Sequence, residues 1–190
     1  MRKAVLAALF IFLISVPLKA QDIPKGELYW GYSLLRIEGL NLHGWNASMA
    51  GVINRNLAVV FDFSGQYGSE DEQFGSTLIH TDFNAHTFLA GPRVSEPFGR
   101  WVPYAHALFG VTRLSNELDI RPSIGPSISD SDSDVGFGMA VGGGLDYQVN
   151  DAVHLRLIQA DYFVARPDGF KDEGARLGAG IVLRLGRRTP

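Results

Sequence analysis

Residues 134 to 163 read DVGFGMAVGGGLDYQVNDAVHLRLIQADYF, and the first half of this stretch alternates between two kinds of side chain. The odd positions are apolar or aromatic: Val135, Phe137, Met139, Val141, Leu145 and Tyr147. The even positions are small or polar: Gly136, Gly138, Ala140, Gly142, Gly144, Asp146 and Gln148. A period of two places the two sets on opposite faces of a β-strand. A face exposed to water would carry Lys, Glu and Thr. The even positions carry glycines and an acid instead, which is typical of the narrow interior of a small barrel.

The second half of the stretch predicts a hairpin. Residues 150–151, Asn-Asp, favour a tight turn, and the chain returns through residues 154–157 with the same alternation. Counting back from the turn places Asp146 opposite Arg156. An acid therefore faces a base on the inner side of a hairpin whose outer side is apolar. Such an inside-out strand pair indicates a membrane β-barrel.

The N-terminus predicts a secretory signal peptide over residues 1–20. Arg2 and Lys3 form a basic region, an apolar run covers residues 4–16, and Ala20 is a small residue at the expected cleavage point. The apolar run is too short to span ~30 Å of hydrocarbon as a helix. We expect residues 21–190 to form a single barrel domain.

Composition narrows the class of protein. Without residues 1–20 the chain has 14 basic and 20 acidic residues, a net charge of −6, so nucleic acid is not an expected partner. The absence of cysteine excludes a disulfide framework and thiolate chemistry. No long apolar segment follows residue 20, which excludes a helical membrane protein but leaves a barrel possible.

Eight strands are predicted after Gln21, most of them about 10 to 12 residues long, which suits a tilted membrane crossing. They are Glu27–Glu38, His43–Ile53, Leu57–Gly68, Thr81–Val94, Trp101–Leu114, the two arms of the hairpin in residues 134–163, and Gly174–Leu185. Short turns follow strands two, four and six. Longer polar connections, Ser69–His80, Ser115–Ser133 and Arg166–Glu173, follow strands three, five and seven. This asymmetry predicts an all-β, eight-stranded antiparallel up-and-down transmembrane β-barrel with both termini in the periplasm.

Two local features affect the strand phases. The dipeptide Gly91-Pro92 breaks the alternation of strand four and predicts a bulge. Strand seven loses its phase near Leu157 and Ile158. Beyond that point Gln159 and Asp161 face outward unless a second bulge intervenes, and both alternatives remain open.

Several strings resemble an outer-membrane β-barrel family, that of the eight-stranded transmembrane domain of outer-membrane protein A: LYWGYSLLRIEG, PYAHALFGVTRL, VGGGLDYQVNDAVHLRLIQADYF and LGAGIVLRLG. The resemblance covers Gly26 to Gly186. It implies an eight-stranded barrel with lumenal charge networks in the cell outer membrane, with outer-membrane lipid and the barrel assembly machinery as partners. Barrels of this family usually end in an outward aromatic residue that the machinery recognises, whereas this chain has Leu185.

The predicted lumenal charge network is the main candidate site. Its members are Asp62, Asp146, Arg156, Arg176 and Arg184, with His86, His106 and His154 as further candidates. An unpaired charge in a narrow lumen costs several kcal/mol, and side chains nearly fill the interior of eight strands. We therefore predict a charge-plugged lumen and a structural or surface-interaction role, with a small channel or transporter as the alternative.

No catalytic, cofactor-binding or metal-binding residues are predicted. A lipid-modifying enzyme would need a triad that the spacing around His43 and His80 does not define. The tract Asp130–Asp134 fits a solvated acidic loop better than a calcium loop, since it lacks the Gly and the distal Glu. Neither a helix nor a Lys-Ser/Thr pair follows Gly142–Gly144, so this run is not a phosphate cradle. A lipocalin-like soluble barrel would reverse the two faces.

Overall fold

The strands form one closed barrel in a computed structural model that describes residues 23–37, 39–74, 77–122, 128–166 and 172–188. Each strand pairs antiparallel with its sequence neighbours, and β1 closes the barrel against β8, which confirms the predicted fold class. The strands are β1 (Ile23–Ile37), β2 (Leu40–Val52), β3 (Leu57–Phe74), β4 (Thr77–Ser95), β5 (Trp101–Pro122), β6 (Ile128–Gln148), β7 (Val153–Arg166) and β8 (Asp172–Arg188). Within these ranges, no helix is long and apolar enough to span a membrane. The predicted signal peptide lies outside the described residues.

Three short connections lie at one end of the barrel, which we call the short-turn end: residues 53–56, 96–100 and 149–152. Two of them close in the same way. The side-chain oxygen of Asn54 accepts hydrogen bonds from the backbone N–H groups of residues 56 and 57, each at 2.9 Å. Asn150 does the same for residues 152 and 153, also at 2.9 Å. In the 96–100 turn, Gly99 has a φ of 62°, which a residue with a Cβ rarely adopts.

The strands are longer than predicted, because segments interpreted as polar loops form paired strands. β3 and β4 pair continuously from Leu57↔Val94 to Phe74↔Thr77, through the predicted loop Ser69–His80. β5 and β6 pair up to Ile120↔Ile128, through most of the predicted loop Ser115–Ser133. The expectation of 10 to 12 residues per strand was therefore wrong: β3 to β6 have 18 to 22 residues, and the other four strands have 13 to 17. Polar composition does not end a strand whose backbone groups are satisfied by a neighbour.

The inward–outward alternation was uncertain on two strands. The structure shows that β4 is regular and that β7 contains a bulge. Around Gly91-Pro92, β4 pairs with β5 in the same register before and after the dipeptide, at Ala90↔Phe109 and Arg93↔His106, so the predicted bulge was wrong. Proline lacks an N–H group, which interrupts the ladder without changing its register. On β7 the register shifts by one residue between Arg156 and Ile158, against both neighbouring strands.

The two faces of the barrel carry opposite chemistry. The outward positions predicted for β2, β3, β6 and β8 are outward in the structure, and most are apolar. Large exposed apolar side chains surround the barrel: Trp30, Met49, Phe61, Phe88, Phe109, Phe137, Val141, Leu155, Ile181 and Leu183 are examples. Most inward positions are buried, and the inward face includes most of the charged residues discussed below.

Candidate functional site

The barrel interior contains many buried polar side chains. Each comes from the inward set of a strand with a period of two, so all eight strands deliver polar groups to one narrow space. Among the described residues, the buried polar and charged ones are Ser33, Asn46, Ser48, Asp62, Ser64, Gln66, Thr87, Arg93, His106, Thr112, Asp146, His154, Arg156, Gln159, Asp161 and Arg176.

Asp146 and Arg156 lie opposite each other in the register that the turn predicts. Arg156 donates from Nε to Oδ1 of Asp146 at 2.9 Å and from Nη2 to Oδ2 at 3.2 Å. Its Nη1 donates to Gln159 at 2.8 Å. The guanidinium carbon also lies over two tyrosine rings, 4.2 Å from the centroid of Tyr29 and 4.5 Å from that of Tyr104. Hydrogen bonds and two cation–π contacts hold this buried cation in place.

A second cluster is built around Arg176, one of the most completely buried side chains of the described residues. Its Nη1 donates to Asp62 at 2.7 Å, and its Nε and Nη2 donate to Asp161 at 3.0 and 2.9 Å. Asp161 also contacts His106 Nε2 at 2.8 Å. Asn46 donates to the other oxygen of Asp62 at 2.9 Å. β7 and β3 are thus connected across the lumen through one arginine of β8.

A third cluster lies near the short-turn end. Arg93 forms a salt bridge with Glu27, and Nε of Arg184 lies 3.4 Å from the second oxygen of Glu27. Nη1 of Arg184 is 3.4 Å from Nε2 of the buried His154. The side chain of Arg184 is 23 % exposed, the most exposed member of the predicted network.

Three charged members of these clusters were not predicted. Glu27 could have been found, because it shares the inward parity of Tyr29 and Ser33 on β1. Arg93 was obscured by the proline beside it. Asp161 could not be assigned, because its direction depends on the bulge at Leu157: both Leu157 and Ile158 face outward, and Asp161 is thereby returned to the interior.

The three candidate histidines separate into two groups. His106 and His154 are buried in the lumen, whereas His86 lies on the outer face, so its lumenal assignment was wrong. The inward set of β4 is Ala85, Thr87 and Leu89, and the alternation places His86 outside. Because these inward side chains of β4 are largely apolar, polarity alone wrongly placed His86 in the lumen.

The glycines of β6 make room for lumenal side chains. A Cβ at Gly142 would lie 2.5 Å from Oδ1 of Asp161, and one at Gly144 would lie 2.6 Å from the hydroxyl of Tyr104. Both positions also face backbone oxygens of β7 at closer range. Glycine is therefore required there by close approach.

The interior also contains an apolar cluster that the sequence analysis did not anticipate. Its largest members lie toward the ends of their strands that are remote from the short turns, and they are Leu35, Ile37, Leu42 and Phe163. Leu89 and Leu108 join the same cluster. Side chains of this size occupy lumenal volume that charged groups do not use.

Three outward tyrosines bond to an ionisable residue on the neighbouring strand. Tyr67 contacts Nε2 of His86 at 3.2 Å, Tyr32 contacts His43, and Tyr162 donates to Glu173. Tyrosines with an apolar ring and a polar tip are enriched at membrane interfaces. His43, one of the two histidines considered above for a lipid-modifying enzyme, contacts one of these tyrosines. The side chain of the second, His80, lies outside the described residues.

Among the described residues, no group of three or more His, Asp or Glu side chains is placed to hold a metal ion. In the tract Asp130–Asp134, the side chains of residues 130–132 are outside the described set. The backbone of the tract belongs to β6 and pairs with β5, so it is not the loop that was predicted.

No family model and no curated protein matches this chain. Solved structures do. The crystal structure of Ail, the attachment invasion locus protein of Yersinia pestis, is 22% identical with a TM-score of 0.59 and covers 84% of this chain and 98% of its own. Ail in complex with the heparin analogue sucrose octasulfate is 20% identical with a TM-score of 0.54, covering 86% and 99%. Neisserial surface protein A is 16% identical with a TM-score of 0.47, covering 84% and 96%. The likeness to Ail shows that this chain has the fold of an eight-stranded outer-membrane β-barrel.

Proposed function

We propose that this protein is a small outer-membrane β-barrel that is plugged by its own side chains and has a structural or surface-interaction role. The observation that carries the proposal is the combination of an apolar outer face with ion pairs that cross the lumen. The outer face presents Trp30, Phe88 and Ile181 to the surroundings, each at least half exposed. In lipid, that surface would be buried, and the closed barrel leaves no edge strand unsatisfied.

The plug rests on the contacts of Arg156 and Arg176. Two aspartates, Asp62 and Asp161, reach Arg176 from opposite sides of the barrel, and Asp146 holds Arg156. A buried pair cannot be opened cheaply, because removing one partner leaves an uncompensated charge at a cost of about 3–5 kcal/mol. The apolar cluster around Leu108 and Phe163 adds packing in the same interior.

The surface-interaction role is supported by strand length. About 9–11 tilted residues cross a bilayer, whereas β5 and β6 have 22 and 21 residues and pair almost to their ends. Their excess length lies at the end remote from the short turns and would project beyond the lipid. The name of Ail, attachment invasion locus protein, is consistent with such a use of this fold. The proposal assigns this chain no catalytic activity.

The proposal includes an export route. Residues 1–20 are proposed as a cleaved signal peptide, outer-membrane lipid as the surroundings, and the barrel assembly machinery as a partner during insertion. The outward Leu185 near the end of β8 stands where related barrels carry an aromatic residue. We expect this barrel to insert without that aromatic signal, and a Leu185→Phe variant to insert faster.

A small channel is the second candidate function, and two hydroxyl groups favour it. Among the described residues, the hydroxyls of Tyr29 and Thr112 are buried without a hydrogen-bond partner. Water is the usual partner for such groups, since an unsatisfied buried hydroxyl is costly. Water bound at these two hydroxyls would be the beginning of a path for ions.

Planar-bilayer conductance of the refolded protein distinguishes the two functions. A plugged barrel gives no steady conductance of porin size, and brief small openings at most. Asp62→Asn, which frees one side of Arg176, should make such openings more frequent, while Ser133→Ala on the outer face should not. Steady, porin-sized openings of the unmodified protein would contradict the plugged lumen and favour the channel.

A further inference from the structure

A cavity of about 50 Å³, with both polar and apolar lining residues, lies at the short-turn end of the lumen. Its charged lining includes Glu27, Arg93, Arg184 and Asp146, with His154 and Tyr104 beside them. These groups come from β1, β4, β8, β6, β7 and β5 respectively, so the barrel closure itself brings them together. The cavity is separate from the cluster around Arg176, which does not line it.

The cavity has more positive than negative charge available. Asp146 is neutralised by two hydrogen bonds from Arg156. Glu27 is then the one lining carboxylate, in the part of the chain that the structure describes, that faces both Arg93 and Arg184. One carboxylate cannot neutralise two guanidinium groups. An additional negative charge would therefore be stabilised here.

Hydrogen-bond donors are also in excess. Nε of Arg93 and Nε of Arg184 are both buried without a hydrogen-bond acceptor among the described residues. The 3.4 Å approach of Arg184 Nε to Glu27 is an ion-pair contact and does not meet hydrogen-bond geometry. Arg93 is 6 % exposed, so bulk water does not easily satisfy it. Unsatisfied buried donors in native proteins call for an acceptor, either ordered water or an ion.

The size of the cavity selects the class of acceptor. A water molecule needs roughly 10–15 Å³ of such volume, so about 50 Å³ holds a few oxygen atoms. A tetrahedral oxyanion has four oxygens, and guanidinium groups bind phosphate through two parallel N–H···O bonds. A large organic anion would not fit into this volume.

We propose that this cavity, formed around Arg93 and Arg184, is a binding site for a phosphate-class oxyanion. The anion accepts hydrogen bonds from the two arginines and supplies the negative charge that Glu27 alone does not. It comes from solution at the short-turn end, because the cavity lies inside the ring of strands, away from the apolar outer face that lipid would cover. The site is independent of whether the lumen conducts.

Calorimetric titration of sodium phosphate into the refolded protein tests the site. The titration is done at constant ionic strength, with sodium chloride as the balancing salt and a detergent with a sugar headgroup. We expect saturable binding of phosphate in preference to chloride. Arg93→Gln and Arg184→Gln should each weaken it about tenfold or more, the value of one charge-assisted hydrogen bond. Glu27→Gln, which removes the competing carboxylate, should tighten it about fourfold or more.

Arg36→Gln is the matched control, because Arg36 is exposed at the opposite end of β1 and carries the same charge. Its phosphate affinity should equal that of the unmodified protein. If Arg93→Gln fails to fold, Glu27→Gln and Arg184→Gln still test the site, because they are expected to change the phosphate affinity in opposite directions. Equal affinities in all variants, weaker binding in Glu27→Gln, or equal losses in Arg36→Gln would overturn the site. Displacement of phosphate by short-chain phosphatidic acid in mixed micelles would overturn its soluble source.

Discussion

Arg156 and Asp146 form a two-point ion pair, at 2.9 and 3.2 Å, on the last regular pair of positions before the bulge of β7. The same arginine makes cation–π contacts with Tyr29 and Tyr104. Its position is therefore defined by the hairpin register and by rings from two other strands, so it connects a local feature of the chain to the closure of the barrel.

Asp146→Asn should destabilise the barrel by about 3–5 kcal/mol, because it leaves Arg156 buried without a compensating charge. Adding Arg156→Gln should recover part of that loss, so the two substitutions should be strongly coupled. Urea unfolding in lipid vesicles, followed by tryptophan fluorescence, measures the cycle. The matched cycle of Asp146→Asn with Arg36→Gln should be additive within about 0.5 kcal/mol. Additivity in the first cycle as well would contradict the ion pair.

Ile181→Arg should cost about 2–4 kcal/mol if the outer face of β8 lies in lipid, since Ile181 is half exposed near the middle of that strand. Leu185→Arg, on the same face but nearer the strand end, should cost about 0–1 kcal/mol. Unfolding in vesicles compares the two variants. Equal, small costs, together with a stable monodisperse fold in detergent-free buffer, would show that the outer face does not contact lipid.

Deletion of Leu157 should preserve the barrel. It removes the extra residue of the bulge, and Arg156, Ile158 and Gln159 then alternate regularly with their present inward and outward directions. Deletion of Ala160, three positions later, should prevent folding because it turns Asp161 toward the outer face. Both variants are compared by their gel mobility before and after boiling, where a folded barrel shifts on heating. The same behaviour of both deletions would mean that the bulge does not set the direction of Asp161.

Residues 116–132 should be dispensable for folding. Ser115 and Ser133 are directly paired, so an Asn-Gly turn joining them shortens β5 and β6 equally and keeps the register below. The shortened barrel should keep its heat-dependent gel shift, because the ion pairs of Arg156 and Arg176 are untouched. Failure to fold would show that the extension of β5 and β6 stabilises the barrel.

The protein extracted from membranes should begin at Gln21. The basic, apolar and small-residue regions over residues 1–20 are the basis for this expectation. N-terminal sequencing measures it directly, and an Ala20→Arg variant, which removes the small residue, should accumulate uncleaved. A start at Met1 in the membrane-extracted protein would contradict export by a cleaved signal peptide.

Much of the fold was predictable because the relevant information is local. Strict alternation over residues 134–148 determines which side chains face inward, and the Asn150 turn determines that Asp146 meets Arg156. The strand ends were less predictable. Alternation of apolar and polar residues indicates only the part of a strand whose outer face is buried in lipid. The polar extensions of β3 to β6 lack this pattern and are strands because a neighbouring strand supplies their hydrogen bonds.

By itself, the sequence determined the number of strands, their up-and-down order and the faces of most of them, since a period of two is a property of consecutive residues. Only the tertiary structure decided which charges meet. Arg176 contacts Asp62, 114 residues away, and Arg93 contacts Glu27, 66 residues away. Such partners depend on the tilt and stagger of the closed barrel, and the direction of Asp161 depends on one extra residue at Leu157. Local alternation shows where strand seven loses its phase, but it indicates neither the stagger of the barrel nor the direction in which Asp161 then points.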